Sequence, residues 1–150
     1  MFGPRAYRRR HFGFGFFGPH HRWSDAEVRA DLEAADAAIS AVTGRTTRPL
    51  WSPSAGYRDG RVRSIAASLG YRPILWTLDS GDWTTTATAD AVYERVMDEG
   101  AINGAIVVLH FDSPTTVRST AVALPGVIDD LRGRGFLLVT VTELVTGQRS

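Results

Sequence analysis

From Ser24 onward the apolar positions alternate between helical and strand-like spacing. In "SDAEVRADLEAADAAISAVTG" the residues Val28, Leu32, Ala35, Ile39 and Val42 fall three or four apart, which predicts one face of a helix. Ser24 followed by Glu27 predicts a capping box: the hydroxyl accepts a backbone N–H and the carboxylate reaches back. Gly44 supplies the permissive backbone for a stop. The prolines and glycines of "RTTRPLWSPSAGYRDG" forbid a long regular element. A short strand near Arg48–Trp51 and then a loop is the reading. Val62, Ile65, Ala66 and Leu69 share a face of a second, short helix that Gly70 ends.

The pattern then changes. Ile74, Leu75, Trp76, Thr77 and Leu78 form a near-continuous apolar run, as strands buried on both faces do. "ATADAVYERVMDEG" predicts a third helix, with Val92 and Val96 on its face and Gly100 as its stop. "AIVVLH" is a second continuous run and ends in His110. A helix from near Thr115 carries Val117, Ala121 and Leu124. Pro125 kinks or restarts it, and Val127, Ile128 and Leu131 continue to Gly133. Phe136–Val141 reads as a last strand, before "TELVTG" ends the pattern. Helix–strand alternation with short loops implies parallel strands joined by right-handed crossovers, an α/β fold. In such folds chemistry collects at the carboxyl ends of the strands.

Composition changes this picture little. The 150 residues suit one domain, the formal charge of +1 names no partner, and there is no cysteine for a disulfide or thiolate metal site. No apolar run is long enough to span a membrane. Residues 1–22 read as an irregular basic and aromatic arm, "RRRHFGFGFFGPHH" at its centre. Its start is like a secretory signal, but the apolar part is short and rich in glycine, and no small-residue cleavage site follows. The Arg8–Arg10 cluster offers a contact to nucleic acid or anionic lipid, but one short cluster is thin support, and no nucleic-acid partner is expected.

The chemistry gathers in "TLDSGDW", Thr77 to Trp83. Asp79, Asp82 and Trp83 lie at the end of one predicted strand and His110 at the end of the next. Parallel strands bring those ends to the same side, so His110 and an aspartate meet. A histidine bonded to a carboxylate is held in one tautomer and favoured as the cation, a competent general acid. Trp83 offers a flat face to a sugar ring. The competing reading is structural: Asp79 shapes a turn with Gly81, and His110 bonds a backbone carbonyl.

"TLDSGDW" resembles the Asp-x-x-Asp-Trp motif of the polysaccharide deacetylases, a carbohydrate esterase family. "IVVLH", Ile106 to His110, is similar to the same family's Leu-x-His motif. The Trp23–Arg45 segment looks like the helix that follows the family's metal-binding histidines. "VIDDLRGRGFLLVTVTEL" looks like its closing helix and strand. The resemblance is collinear from about Trp23 to Leu144, so 23–150 is expected to be a polysaccharide deacetylase-like domain. It implies a partial (β/α) barrel and removal of acetyl groups from N-acetylated, sometimes O-acetylated, poly- or oligosaccharides. It implies a divalent, zinc-like metal whose bound water attacks the acetyl carbonyl, and a histidine that protonates the leaving amine. His110 is then the acid, Asp82 its first candidate partner and Asp79 the second. Trp83 lines the groove, Val108 takes the position that contacts the acetyl methyl, and Ala55 the position of an oxyanion N–H. The implied location is the cell envelope or exterior.

The match also departs from the pattern. The family's Thr-Phe-Asp-Asp motif has no counterpart before Ser24. Its His-x-x-x-His pair would fall near Gly13–Phe17, which reads "GFGFF". His20 and His21 are adjacent, and the arm brings no clear carboxylate beside them. "SPSAG", Ser52 to Gly56, stands where the family has Arg-Pro-Pro-Tyr-Gly, so the guanidinium is missing. The expectation is a truncated, misread or divergent N-terminus, with no tight metal site and impaired activity. The alternative is a non-catalytic carbohydrate-binding domain that uses the same groove with Trp51 and Trp83.

Overall fold

The structure, a computed structural model, describes residues 23–53, 59–111 and 113–147. The elements are α1 (Asp25–Thr43), β1 (Leu50–Trp51), α2 (Gly60–Ser68), β2 (Arg72–Pro73), β3 (Leu78–Asp79), α3 (Ala89–Arg95), β4 (Val107–Val108), α4 (Pro114–Arg118), α5 (Thr120–Gly133) and α6 (Val141–Thr146). One π-helical turn, Val96–Gly100, continues α3. The chain divides into two compact units, residues 1–75 and 76–150.

In the first unit α1 begins and ends where its local chemistry dictates. Ser24 and Glu27 form the reciprocal capping box, and Gly44 closes the helix in the left-handed conformation at φ 71°. Val28 and Leu32 pack with Trp51, Val62, Ile65, Ala66 and Tyr71 into one core, with Trp23 and Leu69 against it. The predicted face is too long, however. Ala35 and Ile39 are half-buried, and Val42 is 87% exposed, because the core ends before the helix does. β1 and β2 pair in parallel, Leu50 with Arg72 and Trp51 with Pro73. Asp36 ties α1 to the strand approach: it accepts from Thr47 N–H at 2.6 Å and the hydroxyls of Thr46 and Thr47, and pairs with Arg48. The Thr47 N–H comes first among the groups that hold the Asp36 pKa down at about 2.

In the second unit β3 and β4 pair in parallel, Leu78 with Val107 and Asp79 with Val108. Leu78, Val96, Met97 and Val127 form its core, with Tyr93, Val107 and Leu131 packed on it. Gly100 sits where a Cβ would lie 2.7 Å from Leu78 Cδ2 and 3.3 Å from Val107 Cγ2. The helical turn ends at Gly100 as expected, and close approach is a second demand on that position.

Three predicted elements differ. The run from Ile74 is not one strand buried on both faces: only Leu78 of the run belongs to β3, and Ile74, Leu75 and Trp76 are half-buried. Phe136–Thr140 forms no strand among the described residues, and Val141 opens a helix instead. Thr140 and Glu143 make a capping box there, a local signal that wins where no neighbouring strand is paired. The third is the helix after Ser113. Its bend lies at Ser119 (φ −101°, ψ −75°), and α5 runs through Pro125. Val117, Ala121 and Leu124 face outward, while Thr116, Ser119, Thr120, Ala123 and Val127 are buried. A stripe of hydroxyls and small groups forms the inner face up to Ala123, where counting only large apolar residues selected the wrong side; beyond it Val127 and Leu131 join the core as expected.

Candidate active site

The β3–β4 register builds this site. With Asp79 opposite Val108, three further residues reach Asp82 and two reach His110, both past the carboxyl ends of parallel neighbours. "DSGDW" turns at Gly81, whose φ is +70°, a region glycine enters freely. Asp79 shapes that turn. Its Oδ1 accepts the Gly81 N–H at 2.9 Å and the Trp83 indole N–H at 3.1 Å. The turn reading therefore holds for Asp79, and Asp79 is not the partner of the His110 ring.

Asp82 is that partner. Its side chain has 0% exposure, and its Oδ1 lies 2.7 Å from His110 Nδ1. Oδ2 accepts the His110 backbone N–H at 2.6 Å and the Thr120 hydroxyl. Burial is the largest influence on this carboxyl and pushes its pKa up. The His110 N–H, the Thr120 hydroxyl and the His110 ring together overcome it, and the net shift is downward. A fully buried carboxylate is retained because donors surround it. The contact leaves His110 one-third exposed, at 33%. Its ring is thus anchored at Nδ1, with Nε2 left for exchange of a proton.

Trp83 is 59% exposed, with its indole N–H held by Asp79, so its ring is fixed and presented to solvent. Val108 is half-buried in β4. Ala55 lies outside the described residues, as do Arg8–Arg10, His20 and His21. Trp51 does not join a binding surface. It is 4% exposed in the first unit's core, with its Nε1 buried and without a hydrogen-bond partner among the described residues. Thr120 is the site residue that pattern reading missed. The spacing of Thr116, Thr120, Ala123 and Val127 carried the signal, provided threonine is counted as buriable.

Among the described residues no three histidine, aspartate or glutamate side chains gather in a way that could hold a metal ion. No described helix is long and apolar enough to cross a membrane.

The comparisons with known proteins bear on the family and the fold. A family model described as polysaccharide deacetylase matches residues 11–74. That segment ends before Asp79 and begins inside the segment read as an arm. A chitin deacetylase from Amylomyces rouxii is 34% identical over 125 residues, covering 72% of this chain and 30% of that protein. A peptidoglycan-N-acetylglucosamine deacetylase from Bacillus cereus is 33% identical over 98 residues, covering 64% of this chain and 45% of that protein. Among solved structures, a carbohydrate esterase family 4 pseudoenzyme from Bacillus anthracis is 28% identical with a TM-score of 0.69, covering 82% of this chain and 41% of that one. The chain belongs to the polysaccharide deacetylase family, and its fold is that family's partial (β/α) barrel of parallel strands alternating with helices. It spans less than half the length of each of these three relatives. The family's chemistry is metal-dependent.

Proposed function

We propose that this chain is a polysaccharide deacetylase homologue that binds N-acetylated poly- or oligosaccharide and supplies the acid half of the reaction, with impaired hydrolysis. The observation that carries this reading is the Asp82–His110 contact at 2.7 Å. In the proposed roles, water adds to the acetyl carbonyl and gives up a proton to solvent; Asp82 holds the His110 ring, and protonated His110 gives its Nε2 proton to the amine as the C–N bond of the adduct breaks and acetate departs. Trp83 stacks on the sugar and Val108 meets the acetyl methyl. We assign no step to a metal, and divalent metal is proposed to bind weakly. The names of the relatives support a place in the cell envelope or outside the cell.

Acetate release from chitin oligosaccharides, measured with and without zinc, tests the reading. Slow release that falls further in His110→Ala is the expected result. Rapid turnover together with one tight, stoichiometric zinc site in calorimetry would overturn the impaired-hydrolysis reading. The exposed Trp83 favours a second reading, carbohydrate binding without catalysis, and the pseudoenzyme relative is consistent with it. Oligosaccharide binding that is lost in Trp83→Ala, with no acetate release at all, would select it.

A further inference from the structure

We propose that Thr120 is a positioning residue for the Asp82–His110 pair, its hydroxyl fixing the carboxylate so that Oδ1 holds the proton of His110 on Nδ1. This inference rests on the acid role proposed for His110 and adds the group that sets its tautomer.

Serine and threonine inside a helix normally bond a carbonyl three or four residues back. Two of the three buried hydroxyls in this stretch do so: Thr116 bonds the Ser113 carbonyl at 2.9 Å and Ser119 the Thr115 carbonyl at 3.0 Å. Thr120 instead donates to Asp82 Oδ2, 38 positions away in sequence. It is 6% exposed against a carboxylate of 0% exposure.

The geometry gives this bond a consequence beyond packing. A carboxylate rotates about its terminal torsion, which is broad and two-fold. Asp82 Oδ2 is pinned by two donors, the His110 backbone N–H and the Thr120 hydroxyl, from different elements. Two points fix the plane of the carboxylate, and the plane fixes where Oδ1 meets Nδ1. With the His110 N–H alone, the group swings about that contact and Oδ1 leaves the ring. A neutral imidazole then loses the acceptor that selects its Nδ1–H form.

The experiment measures the ratio of Nδ1–H to Nε2–H in the neutral His110 ring, from its nitrogen chemical shifts, in the full chain. Thr120→Val keeps the shape and removes the hydroxyl, and should lower that ratio roughly 2- to 10-fold, the loss of one hydrogen bond's worth of preference. Thr120→Ser keeps the hydroxyl and removes a methyl, and should hold the ratio at the wild-type value. The reverse pattern, serine disturbed and valine unchanged, makes Thr120 a packing residue and overturns the proposal. If valine unfolds the chain, serine against alanine decides it, since those two differ only in the hydroxyl; equal ratios overturn it. The readout does not depend on hydrolysis. A hydroxyl-dependent tautomer without acetate release keeps the positioning role and sinks the catalytic reading. Acetate release with a hydroxyl-independent tautomer does the opposite.

Discussion

Replacing Asp82 by asparagine should destabilise the chain by about 2 kcal/mol at neutral pH, and the size follows from the bonds it disturbs. Aspartate and asparagine have nearly the same volume, so no cavity forms. The amide keeps one acceptor oxygen. Placed at Oδ2, that oxygen retains the His110 N–H and the Thr120 hydroxyl, two of the three bonds. The amide nitrogen then faces His110 Nδ1, where the carboxylate had accepted a proton. Two N–H groups cannot share one line, so the ring must move its proton to Nε2. One charge-assisted bond of about 1.5–3 kcal/mol is exchanged for a neutral one of about 0.5–1.5 kcal/mol, and the two surviving bonds lose their charge assistance. Relief from burying a charge offsets part of this.

The pH dependence has a definite sign. The folded pKa of Asp82 is lowered, so its contribution is complete above the ordinary carboxylate range, about pH 4, and is lost as pH falls through the folded value. The gap between wild type and Asp82→Asn should be widest at neutral pH and close in acid. Urea unfolding of both proteins at a series of pH values measures it. Stabilities within about 0.5 kcal/mol at neutral pH, or a gap that stays constant into acid, would refute the reasoning that charge holds this carboxylate in place.

Two further outcomes are expected. Gly100→Ala should cost about 1–3 kcal/mol by overpacking, because its methyl would lie 2.7 Å from a buried leucine carbon; a variant as stable as wild type in thermal or urea unfolding would show that the approach is slack. Leu32→Ala should cost about 2–5 kcal/mol, whereas Val42→Ala should stay within about 0.5 kcal/mol; equal losses in urea titrations would restore Val42 to the core face.

What the sequence determined by itself is local. The start and stop of α1 need only Ser24, Glu27 and Gly44, which act within one turn of each helix end. The parallel order followed from alternation, and the meeting of His110 with an aspartate followed from that order, because parallel neighbours present the same ends. Tertiary structure decided the choices that local pattern leaves equal. Asp79 and Asp82 are both carboxylates beside one glycine, and only the β3–β4 register sends the second to His110 while the turn and the indole take the first. Phe136–Thr140 has the composition of a strand, but a strand exists only where a partner offers its backbone, and the Thr140 capping box needs none. The inner face of α4 and α5 is the clearest case. Hydropathy counts favoured Val117, Ala121 and Leu124, yet a buried carboxylate 38 residues earlier requires a donor. Thr120 supplies one of that carboxylate's three hydrogen bonds from the inner face, and keeping a buried charge fully partnered offsets the cost of leaving a valine exposed.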